Sequence, residues 1–332
     1  MSTNQPIASL SISGRVTLNL HSLNNESGEG NQILTRQLTI VDQNGNEHTV
    51  NGISGDMFKH IHAGHLVNYA VENDLPLSDQ SYRLNPNRIS KDELEQYIQE
   101  NNKPNSHAEH VIDAVINLCT VCDSHGLLIT YQIGGNANTS NTPRKSTVEF
   151  GWVVGVPELN NTETYVHTKL VPDAGETETT SANEGQNIFH RPANHGVYAF
   201  VCSLDLYRIG FNDISRKYVI SDEERNNRYK AILQSLLNSF LNPKGAMTSA
   251  QKPHITNFEG VISTSTSLTP APTVSPINDG YLKEIEAIEN NLNAVDNNSI
   301  QTMRVNGLSE LSGKFKEVMN HTPYKMKTKA DS

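Results

Sequence analysis

ISGDMFKHIHAGHL, residues 53–66, together with its lead-in ASLSISGRVTLNL, residues 8–20, decides the fold. The lead-in alternates apolar Ile12, Val16, Leu18 and Leu20 (with Gly14) against Ser11, Ser13, Arg15, Thr17 and Asn19, the period of a half-buried strand with the Arg15 face outward. In the second stretch Ser54-Gly55-Asp56 reads as a helix start, with a capping side chain and free backbone N–H groups at the positive end. Lys59, His60, His62 and His65 follow on the first turns. A helix beginning of this kind suits an anion, and phosphate is the anion expected.

Outward from these elements, residues 21–31 (HSLNNESGEGN) are turn-rich and predict a mobile loop, and Ile33–Val50 predicts a hairpin about Gln43-Asn44-Gly45-Asn46. From Pro76 to Asn105 the chain turns polar and helical, with Ser90 and Glu93 spaced as a capping box, and predicts a largely exposed insertion. A helix over Ala108–Cys119 and strands over Leu127–Ile133, Val148–Val156 and Gly196–Arg208 build the core. Residues 157–194 are polar and framed by Pro157 and Pro192, and predict a projecting hairpin arm with an acidic, Thr-rich tip. Asp222–Leu241 is amphipathic, Gly260–Thr266 reads as the last strand, a Pro/Ser/Thr linker runs to Pro276, and helices are expected between Tyr281 and Asn320. Stripped of insertions, the order is β-α-β-β-α-β, that of the ferredoxin-like fold shared by RNA-recognition modules.

The formal charge of −10 over 332 residues argues against a protein coated in positive potential. A local reversal occurs over 225–258, where Arg225, Arg228, Lys230, Lys244 and Lys252 occur without an acidic residue before Glu259. Within it NPKGAMTSAQKPH (242–254) is a hydroxyl-rich loop suited to a phosphate chain. No apolar run reaches membrane length, the N-terminus lacks signal-peptide character, and three cysteines make no disulfide framework, so a soluble cytoplasmic protein without membrane partners is expected. Cys119, Cys122 and His125, with His107 and His110 upstream, are weak zinc candidates because their spacing departs from finger patterns, and no cofactor is expected. No phosphate-loop, dinucleotide, zincin or nucleophile-elbow motif is present.

Seven segments taken in order carry a family resemblance: SISGRVTLNLHSLN, ISGDMFKHIHAGHL, CTVCDSHGLL, RKSTVEFGW, IFHRPANHGVYAF, LYRIGFND and GAMTSAQKPHITNFEGVI, followed by the Pro/Ser linker. Over most of residues 8–276 the chain resembles the DevR-type (Cas-seven) CRISPR-associated proteins of the RAMP superfamily. The resemblance implies an α+β fold: a modified RNA-recognition (ferredoxin-like) palm with a helical fingers insertion and a β-hairpin thumb. It divides the chain into palm (1–75), fingers-type insertion (76–125), palm strands (126–156), thumb (157–196), second palm part (197–276) and C-terminal helices with a Lys-rich tail (277–332).

The implied function is that of a non-catalytic backbone subunit of a type I Cascade surveillance complex. It polymerises as a helical filament along the guide RNA (crRNA) and presents the guide for pairing with target DNA. Expected partners are guide RNA, target DNA through the guide, further copies of the chain, other Cascade subunits, and a nuclease or transposition effector. The implied RNA contacts are Arg15, Lys59 and His60 in the palm, Arg144 and Lys145, the loop residues Lys244, Met247, Ser249 and His254, and His167, Lys169, His190 and Arg191 in the thumb. Alternatives are a RAMP-type endoribonuclease using Asp56 or a residue of 21–31, and a zinc-binding regulatory module. The aromatic signature of ordinary RNA-recognition modules is missing, so bases are not expected to stack on the sheet.

Overall fold

The computed structural model describes residues 5–101, 107–170 and 186–328. It opens with strands β1 (Ser9–His21), β2 (Asn25–Glu29), β3 (Gln32–Thr35), β4 (Gln37–Val41) and β5 (Glu47–Ile53), then helix α1 (Gly55–Glu72). Helices α2 (Asp79–Tyr82), α3 (Lys91–Glu100), α4 (Ala108–Leu118) and α5 (Thr120–His125) follow, then β6 (Leu127–Ile129), β7 (Thr142–Arg144) and β8 (Val148–Phe150). The long strands β9 (Val153–Leu170) and β10 (Gln186–Leu204) precede β11 (Phe211–Asn212), β12 (Lys217–Tyr218) and α6 (Asp222–Leu241). The chain continues through β13 (His254–Ser265), α7 (Tyr281–Val295), β14 (Ile300–Asn306) and α8 (Leu308–Met319). Among the described residues no helix is long and apolar enough to cross a membrane.

The main sheet runs β14-β13-β1-β10-β9-β5-β4, every neighbouring pair antiparallel, with β3 and β8 added beside β10. The alternation of β1 has the consequence expected of it: Leu10, Ile12 and Leu18 are buried on the face that carries α1, α6 and α8. Gly14 sits in that row because Phe200 and the Glu259 carbonyl lie 2.8 Å from where a Cβ would stand. The close approach admits a tilted cluster of Phe200, Phe240 and Phe258, with ring centroids 5.0–5.7 Å apart, and Phe58 of α1 joins it at 5.5 Å from Phe240.

The opposite face is not solvent, as the outward reading of Arg15 had it. The segment read as a linker lies along β1 and is stitched to it. Ser9 Oγ accepts from Ala271 N (3.0 Å), Ser11 Oγ donates to the Pro272 carbonyl (2.7 Å), and Ser13 Oγ accepts from Val274 N (3.3 Å). Arg15 completes the row with bonds to the Pro276 carbonyl (2.6 and 2.8 Å) and to Asp279 (2.6 Å). Alternate side chains of one strand thus bind an extended, Pro-containing strap whose own N–H and C=O groups lack a sheet partner. Tyr281 and Ile285 of α7 then pack on Val261.

The helical insertion is less exposed than predicted. Ser90 and Glu93 form the expected capping box, but Leu94 and Ile98 of α3 are fully buried in the same core as Val111 and Val115 of α4. Residues 21–31, expected as a mobile loop, instead contain β2, which forms a hairpin with β3 and is tied to β10 through His190 N and the Asn31 carbonyl at 2.8 Å. The hairpin arm forms as predicted: β9 and β10 stay paired from Asn160–Gly196 out to Leu170–Gln186. Its register shifts at Gly196, where φ is +144° and a Cβ would stand 2.3 Å from the Leu159 carbonyl, so a residue without a side chain is required. The expected acidic tip lies outside the described residues. Strand β14 was not expected from the sequence.

Candidate nucleic-acid interface

The N-terminus of α1 is built as its sequence requires. Ser54 Oγ accepts from Met57 N at 3.1 Å, and Ser54 N donates to Asn24 Oδ1 at 2.7 Å. The helix begins tight against β8, since a Cβ on Gly55 would meet the Phe150 carbonyl at 2.4 Å. One turn on, Lys59 is half-buried and donates to Ser146 Oγ at 2.9 Å, while His60 is exposed. Burial, and secondarily the Arg88 charge, hold the Lys59 ammonium down to about 8.

His62 and His65 point inward. His62 contacts the Ile232 carbonyl (3.1 Å) and His125 (2.8 Å), and His65 contacts the Asn242 carbonyl (3.0 Å). Helical periodicity separates them from His60, so the three histidines form no common face.

Arg88 is the residue the sequence reading missed. It lies in the turn before α3 with φ +60°, and its guanidinium donates to the carbonyls of His125 (3.1 Å) and Gly126. Lys59, Arg88, His60 and Asp56 line one cavity of about 310 Å³ between α1 and the insertion. In a single sequence, an arginine in NPNRIS carries no signal of this placement.

Two expected contacts are corrected. Arg15 sits on the sheet face opposite α1 and is bound to the strap, as described above. Arg144 is fully buried: it meets Asp123 at 2.7 Å and Asp213 at 2.9 Å, and donates to the Phe211 and Arg208 carbonyls. Arg225 and Arg228, counted within the basic stretch, are buried too; Arg228 pairs with Asp123 at 2.9 Å and with Glu224, and Arg225 donates to the Ile209 and Tyr324 carbonyls. These arginines cross-link α5, β7, α6 and the 205–213 loop. Lys145, by contrast, is exposed next to the Lys59 partner Ser146, and Arg208 holds that turn through the Lys145 and Ser146 carbonyls.

The loop 243–253 packs on the segment after β1. Ala246 N and Met247 N donate to the Leu23 and Ser22 carbonyls at 2.9 and 3.2 Å, leaving Lys244, Ser249 and His254 exposed and Met247 half-buried. Gln251 ties the loop to the base of the arm through the Pro192 carbonyl at 2.9 Å. On the arm, His167 stacks on Phe189 (5.7 Å) and Arg191 lies over the same ring (4.7 Å). His190 lies on the other face of the ladder by alternation, and the backbone of Lys169 stands opposite that of Asn187 in the register.

The zinc candidates do not converge. Cys119 caps α5, accepting from Cys122 N at 3.3 Å, and His125 is committed to His62. His107 and His110 face each other edge to ring, and among the described residues no three His, Cys, Asp or Glu side chains are grouped to hold a metal.

A model of the family described as CRISPR-associated negative auto-regulator DevR/Csa2 matches residues 12–286. A CRISPR-associated protein Cas7/Cst2/DevR of Methanocaldococcus jannaschii is 27% identical over 243 residues, covering 69% of this chain and 72% of that protein. Among solved structures, a chain of a CRISPR RNA-guided surveillance complex in a pre-nicking state aligns over 87% of this chain and 88% of its own at 11% identity, with a TM-score of 0.44. Csc2 of Thermofilum pendens aligns over 96% and 87% at 14% identity, with a TM-score of 0.37.

Proposed function

The chain belongs to the CRISPR-associated DevR/Csa2 family, and from that membership we propose that it is a non-catalytic guide-RNA-binding backbone subunit of a type I surveillance complex. Copies associate head to tail along the guide, a heterologous contact that continues rather than closes. The guide reads target DNA by pairing, so the protein needs only backbone and shape contacts.

The observation that carries the reading is the juxtaposition of Lys59 and Arg88. Both are partly buried in one cavity beside a capped helix N-terminus, and among the described residues neither is ion-paired. Two cations held so close are relieved by an anion, and a polynucleotide backbone supplies one. Exposed Lys145, Lys244 and His254, with the His167–Phe189–Arg191 stack on the arm, supply further contacts. Topology supports it as well: β1, α1, β9, β10, α6 and β13 follow one another as β-α-β-β-α-β, and the strands lie in the order β13-β1-β10-β9. In this reading that unit is the palm, the α2–α5 insertion the fingers, and the β9–β10 arm the thumb.

Lys59→Ala and Lys244→Ala are each expected to weaken binding of guide-length RNA of any sequence and to reduce the slope of log K against log salt by about 0.7, one single-strand phosphate contact. Lys283→Ala, at an exposed position of α7, is the control and is expected to leave the slope unchanged. Unchanged slopes for both test variants in a fluorescence titration would contradict the placement of the groove.

A further inference from the structure

The main sheet ends in two unlike edges. At one end is β14, where Thr266 N donates to the Ser299 carbonyl and Gly307 N to the Phe258 carbonyl, so its odd-numbered backbone faces β13 and its even-numbered backbone faces outward. Three of the outward N–H groups are capped by side chains: Ile300 N by Asn293 Oδ1 (2.8 Å), Thr302 N by Glu289 Oε1 (3.1 Å) and Asn306 N by Glu310 Oε2 (2.8 Å). Arg304 lies among them, exposed and paired with Glu286 at 2.7 Å. Side-chain caps and a charged residue along an edge keep further strands off.

At the other end, β4 has none of these guards. Gly52 N donates to the Arg36 carbonyl (3.1 Å) and Asp42 N to the Asn46 carbonyl (2.9 Å), so the even-numbered backbone faces β5. The N–H and C=O groups of Gln37, Thr39 and Val41 therefore point away from the sheet, and among the described residues no strand or side chain takes them. The strand reads QLTIV, without charge, proline or bulge, and Val41 is 59% exposed. On its inner face Leu38 and Ile40 are only partly buried against Val154, Val156 and Ala199.

A sheet running on from copy to copy is blocked by the caps on β14. A second β4 fits instead. Antiparallel pairing about a two-fold axis at Thr39 sets Thr39 against Thr39 and Gln37 against the partner's Val41, and these are the residues whose free groups face outward, so each pair exchanges both N–H···O bonds. The same register sets Leu38 against the partner's Ile40, which extends the apolar cluster, and Arg36 against the partner's Asp42, which places opposite charges together at both ends. Moving the axis to Leu38 or Ile40 sets a charged residue against an apolar one.

We infer that the RNA-free chain associates as a two-fold dimer by strand addition at β4, its partner a second copy of itself. The contact is isologous and closes on itself, so it is separate from a head-to-tail contact along the guide. A ladder this short makes a weak dimer, which forms with rising concentration and leaves the dilute chain monomeric.

Sedimentation of the full chain without RNA, from roughly 1 μM to 1 mM, tests it and is expected to show dimer at the upper end. Thr39→Lys brings two ammonium groups together on the axis and is expected to weaken association about tenfold or more; Thr39 is exposed and its backbone faces outward, so the β4–β5 ladder is untouched. Thr39→Cys is expected to give a disulfide-linked dimer under mild oxidation, because paired Cα atoms at about 5.5 Å are within reach of a disulfide. The three native cysteines are buried and do not compete. Gln37→Cys alone is expected to stay monomeric, and to cross-link when mixed with the Val41→Cys chain.

Monomer at every concentration, a dimer indifferent to Thr39→Lys, or Gln37→Cys linking to itself as readily as Thr39→Cys overturns the inference. The dimer needs no RNA, so each of these results leaves the guide-RNA reading standing, and a chain that binds no RNA leaves the dimer standing.

Discussion

Asp123→Ala is expected to destabilise the protein by about 3–5 kcal/mol, a large share of the ~5–15 kcal/mol that holds a typical domain folded. Asp123 is 1% exposed and receives Arg144 Nη2 at 2.7 Å, Arg228 Nη1 at 2.9 Å and the backbone N–H of Gly210 at 3.0 Å. Both guanidinium groups are themselves fully buried. Removing the carboxylate leaves an excess of positive charge where water cannot reach, and it orphans the Gly210 N–H. Asp123→Asn keeps the shape and one acceptor but not the charge, and is expected to fall between the two. Urea denaturation of the three proteins measures the ranking; an alanine variant within 1 kcal/mol of wild type, the range of exposed pairs, would show that the network is not what joins α5 to β7 and α6.

Acidification is the second large effect. Burial, with a smaller contribution from the His195 charge, lowers His21 to about 3, and burial lowers His62 to about 4 against the opposing bond to the Ile232 carbonyl. In the unfolded chain both return to roughly 6.5. Above that pH neither state holds the proton and their stability contribution is complete. As pH falls from 6.5 toward 4, the unfolded chain binds protons that the folded chain refuses, and stability is lost. At pH 5 each histidine accounts for about 2 kcal/mol. His21 offers the clean test, because its ring makes an edge contact with Tyr198 at 5.0 Å and neither ring nitrogen has a partner among the described residues. His21→Phe is expected to narrow the stability difference between pH 7 and pH 5 by about 2 kcal/mol. A difference equal to that of wild type would mean that His21 titrates normally in the folded protein.

Local signals in the sequence translated well into structure. The Ser54 cap, the Ser90–Glu93 box, the turn about Asn44-Gly45, the span of α6 and the paired arm each depend on residues close together in the chain, where capping and periodicity act. The misreadings of β1 and of the buried arginines concern partners far apart. The serines and Arg15 of β1 looked like a solvent face because the strap that covers them arrives some 260 residues later. Arg144, Arg225 and Arg228 looked like groove cations because their partners lie in other segments: Asp123 for two of them, backbone carbonyls for the third. Arg88 gave no signal, since only the fold brings its turn beside Lys59. Of the candidate site, Lys59, His60, Lys145 and Lys244 were legible as accessible cations or donors on turns and helix ends. The buried contact of His62 with His125 was not, because it forms only when α1, α5 and α6 pack together.

The most direct test of the central claim is the number of copies bound as a function of RNA length. Native mass spectrometry of the full chain mixed with single-stranded RNAs of increasing length reads that number directly. The account predicts that copies add one at a time at a regular increment of nucleotides, independent of sequence. One copy at every length, or protein that remains RNA-free in low salt, would contradict it.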